Sequence, residues 1–97
     1  MVYKIDTNIL NLSIGNLKQR IHKQCERMTD PLFTFDRNGL RLAIAAIEDE
    51  TNELYDEWQH HKRMPSNAVN EIRHELLDIA AVALITYTQT MEKNVGE

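Results

Sequence analysis

The chain reads as an all-α protein, a leading helix followed by an antiparallel helical hairpin. Three observations predict this class. Apolar residues recur at three- and four-residue steps through three long segments, as they do on amphipathic helices. The two prolines fall between those segments, at Asp30-Pro31 and Met64-Pro65, where they punctuate rather than interrupt. From Leu76 to Ile85 the apolar residues surround the helix on all sides, the pattern of an element covered by neighbours all round.

The first helix is expected over roughly residues 9–28. Leu10, Ile14, Leu17, Ile21, Cys25 and Met28 form its stripe, with Lys18, Arg20, Lys23 and Arg27 on other faces. Cys25, on that stripe, reads as a small core residue. Asp30-Pro31 ends the helix, because the residue before proline is biased away from helical angles. Residues 32–38 read as a loop. Asp36 or Asn38 caps the second helix, and with Asp36 as cap, Phe35 can pack on Leu40 as a hydrophobic staple.

The second helix carries the stripe Leu40, Ile44, Ile47, Thr51, Leu54 and Trp58 and runs to Met64-Pro65. Ser66 or Asn67 caps the third, whose stripe is Val69, Ile72, Leu76, Ile79, Ala83 and Thr86 and which frays near Val95-Gly96. Two neighbours in one chain do not cover a helix that is apolar all round. The hairpin is therefore expected to complete a helix bundle by homo-oligomerisation, as a homodimer or homotetramer, with Ala81 and Leu84 on the outward side of the third helix.

Composition narrows the function classes. The 97 residues make one small domain, 1–97, near the size at which a lone core becomes marginal. A net charge of -4 and a pI near 5.5 argue against a partner that is polymeric nucleic acid. The longest uncharged run, Ile79 to Met91, is too short for a membrane span and carries Thr86, Tyr87, Thr88, Gln89 and Thr90. With a single cysteine and no apolar signal core at the N-terminus, the expected compartment is cytoplasmic.

Two acidic motifs carry the chemistry: Glu50-x-x-Glu53 on the second helix and Glu75-x-x-Asp78 on the third. Residues three apart share a helical face, so each motif offers two carboxylates together. In a hairpin turning near residue 64, residues equally far from the turn are level. Glu50 and Asp78 each lie fourteen residues from it, Glu53 and Glu75 eleven, Glu57 and Glu71 seven. At 100° per residue, each helix keeps its acids on one flank of its stripe, so height and azimuth both permit convergence on a hard divalent cation. A solvated flank suits Glu48 and Glu57. It suits Asp78 poorly, because its surroundings are apolar and no adjacent basic residue neutralises it.

The string Asp49-Glu50-Thr51-Asn52-Glu53-Leu54, followed by Glu75-Leu76-Leu77-Asp78-Ile79-Ala80, resembles the two-part signature of the all-α nucleoside triphosphate pyrophosphohydrolases, the MazG-like superfamily: Glu-Glu-x-x-Glu-Leu, then Glu-x-x-Asp. The resemblance covers roughly residues 38–90. Asp49 departs from it, standing where the family usually has Glu. The resemblance implies Mg²⁺-dependent hydrolysis of a nucleoside triphosphate to monophosphate and pyrophosphate, with housecleaning of the nucleotide pool as the common theme. Glu50, Glu53, Glu75 and Asp78 would hold Mg²⁺, with Mn²⁺ as a possible substitute, and Glu53 or Asp49 would serve as general base. Lys62, Arg63 and Arg73 are the cations available for the substrate phosphates. His60-His61-Lys62-Arg63 also closes a helix, where cations favour the dipole. Trp58, Tyr55, Phe33 and Phe35 can stack on a base or pack in a core or interface, and the base-binding residues are not assigned.

Other readings are a phosphoribosyl-ATP pyrophosphohydrolase of the same superfamily and a non-catalytic metal-binding oligomerisation or regulatory module. Glu57-x-x-His60 and Glu71-x-x-His74 match the Glu-x-x-His element of di-iron bundles, but the first helix supplies only Glu26 as a further acid. Gly15, Gly39 and Gly96 are isolated, which excludes a glycine-rich phosphate loop.

Overall fold

A computed structural model describes residues 2–26, 36–60 and 66–95, and the side chains of residues 2–26, 36–60 and 68–92. Those residues form three α-helices, α1 (Thr7–Glu26), α2 (Arg37–His60) and α3 (Ser66–Val95). The described residues contain no strand. No helix among them is long and apolar enough to cross a membrane. The expected end of the first helix at Asp30-Pro31, the Phe35 staple, the Met64-Pro65 turn and the cluster His61-Lys62-Arg63 lie outside the described residues, as does Gly96.

Local chemistry sets two helix starts. Asp6 caps α1: its Oδ1 accepts from the backbone N–H of Asn8 at 2.9 Å and of Ile9 at 3.1 Å, and its carbonyl accepts from Leu10 at 2.9 Å. The helix thus begins before the first apolar stripe residue. Of the two expected caps of α2, Asp36 is the one used. Its Oδ1 takes the Gly39 N–H at 2.7 Å and its carbonyl the Leu40 N–H at 2.9 Å, which leaves Asn38 inside the first turn.

α3 is the central element. α2 packs antiparallel along it and α1 packs against it on another side, while α1 and α2 do not meet within 8 Å between Cα atoms. Thirty residues at 1.5 Å each make α3 about 45 Å long, which accounts for most of the 48 Å long axis.

The inward faces keep part of the expected stripes, since Leu10, Leu17, Ile21, Ile47, Leu54, Val69, Ile72, Ile79 and Thr86 are half-buried, while other stripe residues turn outward. On α2 the buried and half-buried residues are Gly39, Ala43, Ala46, Ile47, Glu50, Leu54 and Glu57, a face at three- and four-residue steps that includes acids. Leu40, Ile44, Thr51 and Trp58 of the expected stripe are exposed. On α3 the buried residues are Ala68, Ala81 and Val82, whereas Leu76 and Ala83 face outward. Ala81, expected on an outward side, is fully buried; Leu84 is exposed. On α1 the half-buried residues are Leu10, Leu17, Arg20, Ile21 and Gln24, and Cys25 is exposed rather than in the core. Along the α2–α3 seam small side chains let the helices approach closely, so Ala43, Ala46 and Ala81 lie inside while Leu40, Ile44 and Leu76 turn outward.

Gly15 lies in the exposed middle of α1, and a Cβ built there meets no atom within 4 Å. Glycine in a helix interior costs conformational entropy that alanine does not. Gly15→Ala is expected to stabilise the fold by roughly 0.5–1 kcal/mol, read as a higher urea midpoint at unchanged slope.

Candidate metal centre

The hairpin brings Glu50 of α2 together with Glu75 and Asp78 of α3. One carboxylate oxygen from each lies within 4.8 Å of the others, and all three residues are half-buried. Glu53, one turn on from Glu50, is exposed at the edge of this group. It falls outside the 4.8 Å set, yet its carboxylate raises the proton affinity of both Glu50 and Glu75. All four acids of the two motifs therefore belong to one electrostatic neighbourhood. Asp49 is exposed on the flank beside Glu53 and is not in the three-acid cluster.

Crowding shows in the protonation of the cluster. Desolvation, then hydrogen bonding to Glu53 and Glu50, then their negative charge, raise the Glu75 carboxyl from 4.5 to about 7. Glu50 is also raised, first by desolvation. A hydrogen bond with Glu75 offsets part of that rise, and repulsion from Glu53 and Asp78 adds to it. Even so, Oε2 of Glu50 and Oε2 of Glu75 are buried without a hydrogen-bond partner. Buried carboxylate oxygens are normally satisfied, and these two point to a missing donor or cation.

One cation does reach the cluster, contrary to the expectation that nothing basic neutralises Asp78. Arg20 of α1 donates from Nη1 to Asp78 Oδ1 at 2.8 Å and from Nη2 to Nδ1 of His74 at 3.0 Å. The sequence assigned Arg20 to an outer face. It lies three residues after Leu17 and one before Ile21, so an arginine embedded in the inward stripe was the available signal.

The other expected residues are placed as follows. Arg73 is exposed, and at 100° per residue it stands about 200° around α3 from Glu75. Lys62, Arg63 and Phe33 lie outside the described residues. Tyr55 and Trp58 stack with ring centroids 5.4 Å apart and, with Thr51, Leu54 and Ile72, line an apolar groove of about 350 Å³. Around α2 that groove is centred roughly 120° from the acid flank. The two Glu-x-x-His pairs do not build a second centre: His60 Nδ1 is 2.7 Å from the Asp56 carbonyl oxygen, and His74 is engaged by Arg20.

An all-oxygen carboxylate set suits a hard cation. In an octahedral Mg²⁺ site with ligands at 2.0–2.1 Å, adjacent oxygens lie about 3 Å apart and opposite ones about 4 Å, so three oxygens within 4.8 Å of one another would draw together on one ion. No protein-family model, no curated protein and no solved structure matches the chain. The functional reading therefore rests on these residues.

The raised carboxyl has a stability consequence. Between about pH 4.5 and 7 the fold holds a Glu75 proton that the unfolded chain has already lost. Stability without metal is thus expected to fall as pH rises through that window, and Glu75→Gln should flatten the slope. Urea unfolding in chelator between pH 4.5 and 8 measures this, and carboxyl ¹³C titration assigns the proton.

Proposed function

We propose that this chain is a Mg²⁺-dependent nucleoside triphosphate pyrophosphohydrolase with a MazG-like site. The observation that carries the reading is the meeting of Glu50, Glu75 and Asp78 from two helices within 4.8 Å, with Glu53 at the edge. It occurs at the register required if the two motifs form one site. The partnerless buried oxygens of Glu50 and Glu75 add support, since they give a cation something to satisfy.

When bound, Mg²⁺ would supply charge compensation for the triphosphate and for the pyrophosphate leaving group. Glu50, Glu75 and Asp78 would hold it, and Glu53 would complete the set. Glu53 or Asp49, both exposed on the open side of α2, would take the proton from the attacking water. The raised proton affinity of Glu75 means that metal binding displaces a proton near neutral pH.

The exposed apolar face supports a homo-oligomer. Leu40, Ile44, Tyr55 and Trp58 on α2 and Leu76 and Tyr87 on α3 are each more than 40% exposed in the single chain. Isolated apolar residues on a surface are ordinary, but on α2 they share one helical face, which fits a second copy better than water. Trp58→Glu is expected to convert the oligomer to monomer, as read by chromatography with light scattering. A monomeric wild type would remove this part of the proposal.

Catalysis is tested by pyrophosphate release from a nucleotide panel with and without Mg²⁺. Glu53→Gln and Asp78→Asn are each expected to lower the rate by about 10² or more, and the double variant to lose little beyond either, because residues serving one site are strongly non-additive. Mg²⁺ binding without hydrolysis of any nucleotide would favour the non-catalytic ion-binding module. Preference for phosphoribosyl-ATP would identify that branch of the superfamily.

A further inference from the structure

We propose that Arg20 is the built-in counter-ion of the acid cluster, holding Asp78 until a divalent cation takes it, so that cation binding loosens the docking of α1. The proposal rests on the metal-site reading above and adds a role for the leading helix. The Arg20–Asp78 pair is partly exposed, with side-chain accessibilities of 28% and 27%, so it is neither locked in a dry core nor fully screened. A guanidinium and a divalent ion sharing one carboxylate repel each other, and the doubly charged ion with several oxygen ligands prevails over a single-point ion pair.

The same contact secures α1. No residue of α1 is buried, among the described residues the helix packs on α3 only, and Arg20 bonds to two α3 side chains, Asp78 and His74. One turn beyond Arg20, Gln24 Oε1 is buried without a partner, so the docked arrangement leaves an acceptor unsatisfied. Little apolar burial and an unmet hydrogen bond make the docking of α1 depend on the charge of the acids beneath it.

The test uses the full chain and Mn²⁺ as the probe, with affinity read by calorimetry and α1 by amide hydrogen exchange across residues 7–26. Arg20→Met is expected to bind Mn²⁺ at least about threefold more tightly than wild type, the scale of one partly exposed ion pair. Arg20→Lys, which keeps the charge, should return the affinity to within about twofold of wild type. In the wild-type protein, Mn²⁺ should reduce the protection of α1 relative to α2 and α3. Equal or weaker binding by Arg20→Met would overturn the proposal, since it would mean that Arg20 orients Asp78 for the metal instead. Unchanged protection of α1 in wild type, which requires no variant to fold, would also overturn it. A wild-type chain that binds no Mn²⁺ would overturn the metal-site reading itself and this proposal with it.

Discussion

The structure depends on one constraint, the placement of carboxylates in the seam between two packed helices. Glu50 occupies the inward face of α2 in line with Gly39, Ala43, Ala46, Ile47 and Leu54, and Glu75 and Asp78 occupy inward positions on α3. A charged group loses hydration there and must be compensated locally. The fold does so in two ways: the Glu75 carboxyl is raised to about 7, and Arg20 crosses from α1 to Asp78. The docking of α1 is thereby part of the electrostatics of the cluster.

The second determinant is side-chain size. The fully or nearly fully buried apolar residues are Ala43, Ala68, Ala81 and Val82, and no large side chain is completely enclosed among the described residues. Small residues bring the α2 and α3 backbones close, which lets acids on facing helices reach one another. The same closeness leaves no room for Leu40, Ile44, Trp58, Leu76 or Tyr87, which stand on the outside. A tight acidic seam and an apolar exterior are two results of one packing choice.

The meeting of the acids was legible in the sequence because a hairpin is a strong geometric constraint. With a turn expected near residue 64, the height of Glu50 against Asp78 follows from counting, and the structure brings Glu50, Glu75 and Asp78 together with Glu53 exposed at their edge. The rotation of each helix was less legible. A hydrophobic stripe reports where the large apolar residues are, and here the seam follows the alanines, so Ile44 and Leu76 were expected inside and Ala81 outside. Arg20 was missed for a different reason. Its partner is 58 residues away, and no short connection fixes how α1 is set along α3. The cap at Asp6 was readable from Asp6-Thr7-Asn8, but a helix start sought at the first apolar residue passes over it.

Perturbed carboxylates also occur in purely structural ion-pair networks, so the raised proton affinity of Glu75 does not by itself imply a ligand. The charge balance is more discriminating. A structural network tends toward equal numbers of acids and bases, each satisfying the other's hydrogen bonds. Among the described residues four acids face one guanidinium, and buried oxygens of Glu50 and Glu75 are without a hydrogen-bond partner. Such an arrangement opposes folding and would be relieved by replacing one acid with an amide. A divalent cation would relieve it too while leaving the carboxylates in place, and the proposed metal-dependent function draws on this imbalance.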